Sequence, residues 1–380
     1  MAYGFEHILI IGMGFIGGSL AGALKMADET VRIYGVDTDP EAIRTAIEGG
    51  LVDGGAVFSP EGDHDAIMRI LKDHPIDLAV LCTPVDSYPA WFQILEGSGY
   101  RGIITDVGST KEPAIAHAKA HLHRTRSFIA GHPMAGSEVS GIAGARSDLF
   151  DGVYWILTPD KRNDLDLQAF RRLHGLLTSI GARVISVDPA EHDRLIAIIS
   201  HIPHVAASSL VALAGNHAGG NGEMFRLAAG GFKDTTRVAA GSPDLWTGIL
   251  LNNADIVAEE LDEFARIITS MAEMIRNRDA AGVHRLLSEA AEIRKSLPAK
   301  WLPESAKLIV VQISMDNRPG IIAKITTAAG QSGCNIQAIE IIHQTEERAV
   351  LELTLTDEGN FDAFIATLND ADLKAYIRES

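Results

Sequence analysis

The chain has 380 residues, of which 46% are hydrophobic and 22% charged, and a formal net charge of −17. This length accommodates two or three domains with separate cores, and the composition is ordinary for a globular protein. The acidic charge argues against nucleic acid and anionic membranes as partners, because both select basic patches. An anionic substrate would therefore require a local cation in its pocket.

Membrane and export signals are not expected. No apolar run of about 18 residues is evident, which excludes a predicted membrane span, and the N-terminus has no signal-peptide pattern. Cys82 and Cys334 lie far apart in apolar or glycine-rich contexts. We expect both thiols to remain unpaired, which fits a reducing cytoplasm.

Short apolar runs alternate with helical patterns up to residue 187. This alternation predicts βαβ units and a largely parallel sheet, an α/β domain of the Rossmann type over residues 1–187. The first run, HILIIG, ends in the glycine motif GMGFIG at residues 12–17. In such a motif Gly12 permits the tight turn, Gly14 lets the backbone approach a pyrophosphate, and Gly17 lets helix and sheet pack closely. The alternative is a glycine-rich turn that binds no cofactor.

An acidic residue follows the glycine motif at the expected distance. Asp37 ends the second predicted strand, about 20 residues past the glycines, where a carboxylate hydrogen-bonds the ribose hydroxyls. No adjacent Arg or Lys offers a countercharge to a 2′-phosphate, so NAD is favoured over NADP. The predicted cofactor site is completed by Phe15 and Ile16, and by Thr83 and Pro84 at the end of the run IDLAVLCTP.

Two later strand ends carry side chains suited to chemistry. Ser109, in DVGSTK, either hydrogen-bonds a substrate hydroxyl or caps a helix beginning near Lys111, and both roles are compatible. The next strand brings His132, in GHPMAGSEVSG, to the same edge of the sheet. An imidazole there accepts a proton near neutral pH. Ser137 and Glu138 follow on the same irregular segment.

Helical spacing replaces the strand signals over residues 188–296. These helices predict an all-α domain for substrate binding and dimerisation, because their apolar faces need a partner. The segment SHIPH places His201 and His204 three residues apart on one helix face. Satisfied core histidines or a metal pair are the alternatives, and a metal is disfavoured because no third ligand accompanies them.

Two further segments of this region supply a cation and an aromatic wall. Arg237, in KDTTR, either binds an anionic substrate or forms an ion pair with Asp234 or Glu138. Trp246, in PDLW, offers the aromatic surface.

The order of these motifs resembles that of the prephenate dehydrogenases over roughly the first 300 residues. The resemblance implies NAD-dependent oxidative decarboxylation of prephenate to 4-hydroxyphenylpyruvate, in tyrosine biosynthesis, by a cytoplasmic homodimer that uses no metal. It implies that His132 accepts the proton of the ring hydroxyl, Ser109 hydrogen-bonds that hydroxyl, and Arg237 grips a carboxylate. It also implies that His204 is a second substrate-binding histidine and Glu138 an acidic group at the pocket mouth. The further predicted substrate-binding residues are His201, Trp246 and Ser137, of which Ser137 either contacts the substrate or holds the turn.

Residues 297–305 contain two prolines and read as a linker. The following unit, residues 306–380, has the predicted order βαββαβ, and its MDNRPGII and CNI segments resemble an ACT domain, a module that senses amino acids. The resemblance implies side-by-side pairing of two copies and tyrosine as the effector. A module that only dimerises is the alternative. The implied effector-binding residues are Asn317, Gly320, Asn335 and Ile336.

Other functions remain open from the sequence. A dehydrogenase that also takes arogenate, a cyclohexadienyl dehydrogenase, is the nearest. Another β-hydroxyacid dehydrogenase would need a catalytic lysine, for which Lys233 is the one candidate. A non-catalytic sensor of NAD and amino acids is disfavoured because His132 and Ser109 are both present.

Overall fold

The structure is a computed structural model, which describes residues 4–59, 64–136, 141–159, 164–218, 223–296, 308–343, 345, 348–356, 359–371 and 373–378. The chain divides into two compact units, Met1–Ser270 and Met271–Ser380, each considered by itself.

The first unit contains a single eight-stranded sheet. Its strands are β1 (His7–Ile11), β2 (Arg32–Asp37), β3 (Gly54–Val57), β4 (Leu78–Leu81), β5 (Ile103–Asp106), β6 (Phe128–Pro133), β7 (Tyr154–Thr158) and β8 (Arg183–Ser186). They lie in the order β3-β2-β1-β4-β5-β6-β7-β8. The first six strands in this order, from β3 through β1 to β6, are mutually parallel, whereas β7 is antiparallel to β6 and parallel to β8. The predicted α/β class and largely parallel sheet are confirmed.

Helices cover both faces of this sheet. They are α1 (Phe15–Ala27), α2 (Pro40–Glu48), α3 (Asp65–Asp73), α4 (Tyr88–Gly97), α5 (Glu112–His121) and α6 (Asp164–Ser179), with short 3₁₀ turns at Val85–Ser87 and Ile142–Gly144. Alternate side chains of β1 enter two separate cores, Ile8 and Ile10 beside α1 and α6, Leu9 and Ile11 beside α4 and α5. Burial on both faces explains why this strand is apolar at consecutive positions.

A helical region follows β8. It consists of α7 (Pro189–Ile196), a π turn (Ala197–His201), α8 (Ile202–Ala218), α9 (Glu223–Arg226), α10 (Gly230–Thr236), a 3₁₀ turn (Arg237–Ala240), α11 (Pro243–Asn252) and α12 (Ala254–Arg276). Ala197, Ile202 and Val257 form a small buried cluster here. The predicted change from strands to helices after residue 187 is confirmed.

The expectation that no segment is long and apolar enough to cross a membrane is wrong. Helix α7, the π turn and α8 join into one continuous helix, Pro189–His217, which meets both criteria by length and composition. Much of it is exposed on the single chain, including Ile199 at 62% and Leu213 at 55%. A helix of a globular protein that is apolar on most sides also meets these criteria. What the structure shows is that the helix Pro189–His217 carries exposed apolar residues.

The second unit contains helix α13 (Ala280–Ser296) and a separate α+β fold. The fold has strands β9 (Leu308–Asp316), β10 (Ile336–His343), β11 (Arg348–Thr356) and β12 (Lys374–Arg378), with helices α14 (Ile321–Gln331) and α15 (Phe361–Asp370). The chain order is therefore βαββαβ, as predicted, and the antiparallel sheet has the order β10-β11-β9-β12. Its apolar core includes Val311, Ile325, Leu353 and Phe364. The predicted linker, 297–305, lies outside the described residues.

Both cysteines are free thiols, as predicted. Cys334 belongs to the core of the C-terminal fold, and Cys82 is partly buried directly after β4.

Candidate active site

The turn between β1 and α1 requires two of its glycines. Gly12 has φ +98°, and a Cβ there would lie 2.6 Å from the carbonyl oxygen of Cys82. A Cβ at Gly17 would lie 1.9 Å from the carbonyl oxygen of Gly12. At Gly14, which caps α1, a Cβ would meet no atom of the described residues within 4 Å apart from its own chain neighbours. The protein therefore leaves space beside the amino end of α1, where free backbone N–H groups favour an anion.

The carboxylate of Asp37 lies against this glycine turn. Its Oδ2 accepts a hydrogen bond from the Met13 backbone N–H (2.6 Å), and its Oδ1 accepts one from Asp39 (2.9 Å). The side chain remains half-buried at the end of β2. An open glycine cradle beside a fixed carboxylate fits the pyrophosphate and ribose of NAD.

The other predicted cofactor residues lie at the same edge of the sheet. Phe15 and Ile16 begin α1 and are half-buried. The methyl carbon of Thr83 would be 3.0 Å from a Cβ at Gly12. The Thr83 hydroxyl shares a hydrogen bond with Ser87 (2.7 Å), which fixes the loop containing Pro84. The structure thus places Thr83 next to the glycine turn.

A buried ion pair joins the carboxyl ends of β5 and β6. The Lys111 ammonium donates to Asp106 Oδ2 (2.6 Å) and to the carbonyl oxygen of Gly131 (2.5 Å). The Gly131 backbone N–H donates in turn to Asp106 Oδ1 (2.7 Å). Both charged side chains are completely buried. Because each charge is paired and hydrogen-bonded, the burial is tolerated and the backbone preceding His132 is held in place.

His132 is 9% exposed and belongs to a hydrogen-bonded chain of three side chains. Its Nδ1 lies 2.9 Å from Nε2 of His192, and Nδ1 of His192 lies 2.7 Å from Oδ1 of Asp193. His192 and Asp193 are almost fully buried on α7. We refer to these residues as the Asp193–His192–His132 chain.

The same aspartate caps helix α5. Asp193 accepts hydrogen bonds from the backbone N–H groups of Lys111 (2.7 Å) and Glu112 (2.8 Å). The alternative that Ser109 caps this helix is therefore wrong, since α5 begins at Glu112, its capping position is Lys111, and the capping carboxylate comes from α7. Ser109 lies in the preceding loop and is half-buried.

His201 and His204 share one helix face, as predicted, and both contact Trp246. The His204 ring stacks on the indole with centroids 3.6 Å apart, and the His201 ring meets it edge-on at 6.2 Å. Among the described residues, His201 Nε2 and His204 Nδ1 are buried without a hydrogen-bond partner. These nitrogens are available to a ligand beside an aromatic wall.

The remaining predicted residues fall in two places. Arg237 is exposed and begins the 3₁₀ turn after α10, and this turn packs against α8, which carries His204. Ser137 and Glu138 lie outside the described residues.

Burial and charge keep His132 and His201 neutral. Burial lowers the pKa of His132 well below its ordinary 6.5, and the charge of Lys111 and the neighbouring His192 and His201 lower it further. Burial also lowers the pKa of His201 to about 4, although Asp193 opposes this shift. His132 is therefore a free base at neutral pH.

Sequence reasoning missed several residues of this arrangement. Asp106 and Lys111 lie within the DVGSTK motif, for which the sequence predicted a role only for Ser109. His192 and Asp193 are 60 and 61 residues from His132, and Asn253, which donates to the Asp193 carbonyl oxygen (2.9 Å), is further still. The one local signal is the Asp188-Pro189 helix start, which predicts α7 but not the direction of its side chains.

A glycine cradle with an acidic ribose partner, and a neutral buried histidine at a nearby strand end, define an NAD-dependent dehydrogenase of the Rossmann type. Comparison with known proteins agrees. Residues 20–186 match the family model for the nucleotide-binding domain of prephenate dehydrogenase, and residues 188–289 match its dimerization domain. The chain belongs to the prephenate dehydrogenase family and is an NAD-dependent oxidoreductase.

Individual relatives cover most of the chain. It is 34% identical to a prephenate dehydrogenase of Bacillus subtilis over 90% of both chains. It is 30% identical to a cyclohexadienyl dehydrogenase of Zymomonas mobilis over 77% of this chain and 96% of that one. The crystal structure of the prephenate dehydrogenase from Aquifex aeolicus, in complex with hydroxyphenyl propionate and NAD⁺, superposes with a TM-score of 0.69 at 28% identity, covering 77% of this chain and 98% of that one.

Proposed function

We propose that this protein oxidatively decarboxylates prephenate to 4-hydroxyphenylpyruvate, with His132 as the base. The observation that supports this most is a buried imidazole, neutral at pH 7, at the carboxyl end of β6 on the edge that also holds the glycine cradle. When bound there, NAD supplies the acceptor for the hydride that leaves the carbon bearing the ring hydroxyl.

The reaction needs a base and little else from the protein. As the carbon that bears the ring hydroxyl is oxidised, the proton of the hydroxyl group passes to His132. The ring carboxylate departs as CO₂, and the electron pair of the broken C–C bond makes the ring aromatic. Ser109 is proposed to hydrogen-bond the same hydroxyl and so orient its proton toward His132. Aromatisation provides the driving force, so no strong acid is required.

The remaining proposed residues bind a dianion in an acidic protein. Arg237 offers a permanently charged, planar group that holds a carboxylate through two parallel hydrogen bonds. His201, His204 and Trp246 form the wall described above, and Ser137 and Glu138 are proposed to border the pocket. For NAD we propose Gly12, Gly14, Phe15, Ile16, Gly17, Asp37, Thr83 and Pro84.

The base assignment is tested with His132→Asn. The amide keeps a polar side chain of similar size but cannot accept the proton, so we expect kcat to fall by ~10²–10⁴ with little change in KM. NADH formation, followed by absorbance, measures this. Arg237→Gln is the matched comparison, because it should raise the KM for prephenate while His132 remains intact. Near-normal turnover by His132→Asn would remove the base assignment.

A second substrate is a specific alternative, because one relative is named a cyclohexadienyl dehydrogenase. Arogenate differs from prephenate in carrying an amino group in place of the side-chain keto group. Parallel assays with prephenate and arogenate, each with NAD and with NADP, decide between them. We expect the highest kcat/KM for prephenate with NAD, and a higher value for arogenate would overturn the substrate proposal.

We also propose that residues 306–380 form an ACT domain that binds tyrosine as a feedback inhibitor. The βαββαβ order supports this, as does Gly320, which caps α14 with φ +86° and where a Cβ would meet no protein atom within 4 Å. Asn317, Asn335 and Ile336 are the other proposed contacts. Tyrosine should lower the rate of the full-length protein, and an unchanged rate together with no binding in calorimetry would contradict it.

The proposed organisation is a nucleotide-binding domain at 1–187, a substrate and dimerisation domain at 188–296, a linker at 297–305 and the ACT domain at 306–380. We propose a homodimer in the cytoplasm, supported by the dimerization-domain match and by two free thiols.

A further inference from the structure

We propose that His192 and Asp193 are positioning residues that fix the tautomer of His132, so that Nε2 is the nitrogen that accepts the substrate proton. This inference rests on the proposed role of His132 as the base. It concerns the side chains of His192 and Asp193, and it follows from the donors and acceptors of one buried hydrogen-bonded chain.

The argument begins at Asp193, whose two oxygens both accept backbone hydrogen bonds. Oδ1 accepts from the Lys111 N–H (2.7 Å) and Oδ2 from the Glu112 N–H (2.8 Å). Neither backbone group can act as an acceptor through its nitrogen, so the carboxylate is held as an acceptor. His192 Nδ1, 2.7 Å from Oδ1, must therefore carry a proton and donate it.

The next two nitrogens follow from the chemistry of imidazole. In the chain that we propose, His192 is neutral, and a neutral ring has one N–H and one lone pair, so a proton on its Nδ1 leaves the lone pair on its Nε2. His132 Nδ1, 2.9 Å from that nitrogen, must then be the donor. The rings meet edge to face at 68°. The lone pair of neutral His132 consequently resides on Nε2.

The charged surroundings support a neutral His132. The Lys111 ammonium is already paired with Asp106, and its charge disfavours an additional proton on His132. His201, on the π turn, also disfavours that proton. On the other side, Asn253 Nδ2 donates to the Asp193 backbone carbonyl (2.9 Å) and lies 3.4 Å from His201 Nδ1. No second acidic side chain among the described residues contacts either imidazole of the chain.

Asp193 thereby connects two parts of the site. It holds the amino end of α5, directly after the loop with Ser109, and through His192 it orients His132. Both functions come from α7, within the segment that matches the dimerization domain, although His132 belongs to the nucleotide-binding segment. Residues of the dimerization-domain segment thus determine which nitrogen of His132, in the nucleotide-binding segment, carries the proton.

The test compares two substitutions of His192 in the full-length protein. In His192→Gln the side-chain oxygen still accepts from His132 Nδ1 and the amide nitrogen still donates to Asp193. In His192→Leu neither hydrogen bond forms. We expect His192→Gln to retain kcat within about fivefold and His192→Leu to lose about 10²-fold, with the KM for prephenate changed little. A role in packing alone predicts similar losses for both.

The outcomes separate this inference from the proposed function. Normal kcat in His192→Leu, with His132→Asn inactive, overturns the positioning role and leaves the base assignment standing. Turnover by His132→Asn overturns both. If His192→Leu fails to fold, ¹⁵N chemical shifts of the histidine-labelled unsubstituted protein decide. A protonated Nδ1 and unprotonated Nε2 on His132 support the inference, and the reverse assignment overturns it.

Discussion

At the scale of single residues, the proposed chemistry depends on His132, whose proton affinity is reduced by its surroundings. Burial is the main cause, and the ammonium of Lys111 adds to it. Lys111 itself is fully buried and is tolerated because Asp106 and a backbone carbonyl satisfy its donors. The end of β6 that carries His132 is therefore held by the Lys111–Asp106 ion pair, which the sequence of the His132 segment alone does not predict.

This environment predicts the pH dependence of kcat/KM. Because the pKa of His132 is lowered, the free base persists below pH 6.5, and activity should be flat through neutrality and fall only as the pH drops through that lowered pKa. A pH profile of kcat/KM for prephenate measures this. The residual rate of His132→Asn should lack this acidic limb, and a limb at or above pH 6.5 in the unsubstituted protein would contradict the prediction.

At the scale of elements, the β1–α1 turn shows two glycines with different reasons to be glycine. Gly17 faces the carbonyl oxygen of Gly12 and has no space for a side chain, whereas Gly14 faces open space. Gly17 is needed for the fold, and we propose that Gly14 is needed for the cofactor that binds beside it. The backbone at Gly14, with φ −77°, is also accessible to alanine.

Alanine substitutions should separate these two roles. Gly14→Ala should leave the melting temperature unchanged but raise the KM for NAD by about tenfold or more, since the methyl group occupies the cofactor's space. Gly17→Ala should lower the melting temperature or prevent folding, because its Cβ would lie 1.9 Å from a backbone oxygen. Thermal unfolding and NAD titration measure the two effects. Equal KM values for Gly14→Ala and the unsubstituted protein would argue against the proposed cradle.

The sequence predicted what local patterns encode. Apolar runs bounded by glycine and proline located the strands, and GMGFIG with Asp37 located the cofactor edge, because each pattern reports on its own element. The capping of α5 was not predictable, since the carboxylate that caps Lys111 comes from Asp193, 82 residues away. The apolar helices of this region were predicted, but the length of the apolar stretch within Pro189–His217 was missed, because His and Ser residues interrupt its run of hydrophobic letters.

At the scale of the whole molecule, we propose that a second copy of the chain covers the exposed apolar residues of that helix. Residues 188–289 match a dimerization domain, and Ile199 and Leu213 lie exposed on this helix. Burying such a face between two chains removes apolar surface from water, at about 25 cal/mol per Å² of buried area.

Light scattering should therefore report twice the 40.7 kDa of one chain. Leu213→Asp places a charge among the exposed apolar residues of this helix and should shift the protein toward monomers at micromolar concentration. Met26→Asp is the matched control, because Met26 is also exposed, at 74%, but lies on α1 in the nucleotide-binding segment. Unaltered mass for Leu213→Asp would exclude this helix face from the dimer contact.

The π turn at Ala197–His201 has a consequence for the spacing of everything after it. A π turn accommodates an additional residue within a helix, and each residue of an α-helix turns the chain by about 100°. The wider turn takes up this residue, so α8 keeps nearly the rotational phase that it would have without it. If the same residues adopted regular α geometry instead, α8 would turn by roughly 100° and His204 would no longer stack on Trp246. The exposed apolar residues of α8, such as Leu213, would turn with it. The π turn therefore sets the direction of the His204–Trp246 contact and of this apolar surface together, so neither can be re-aimed without the other.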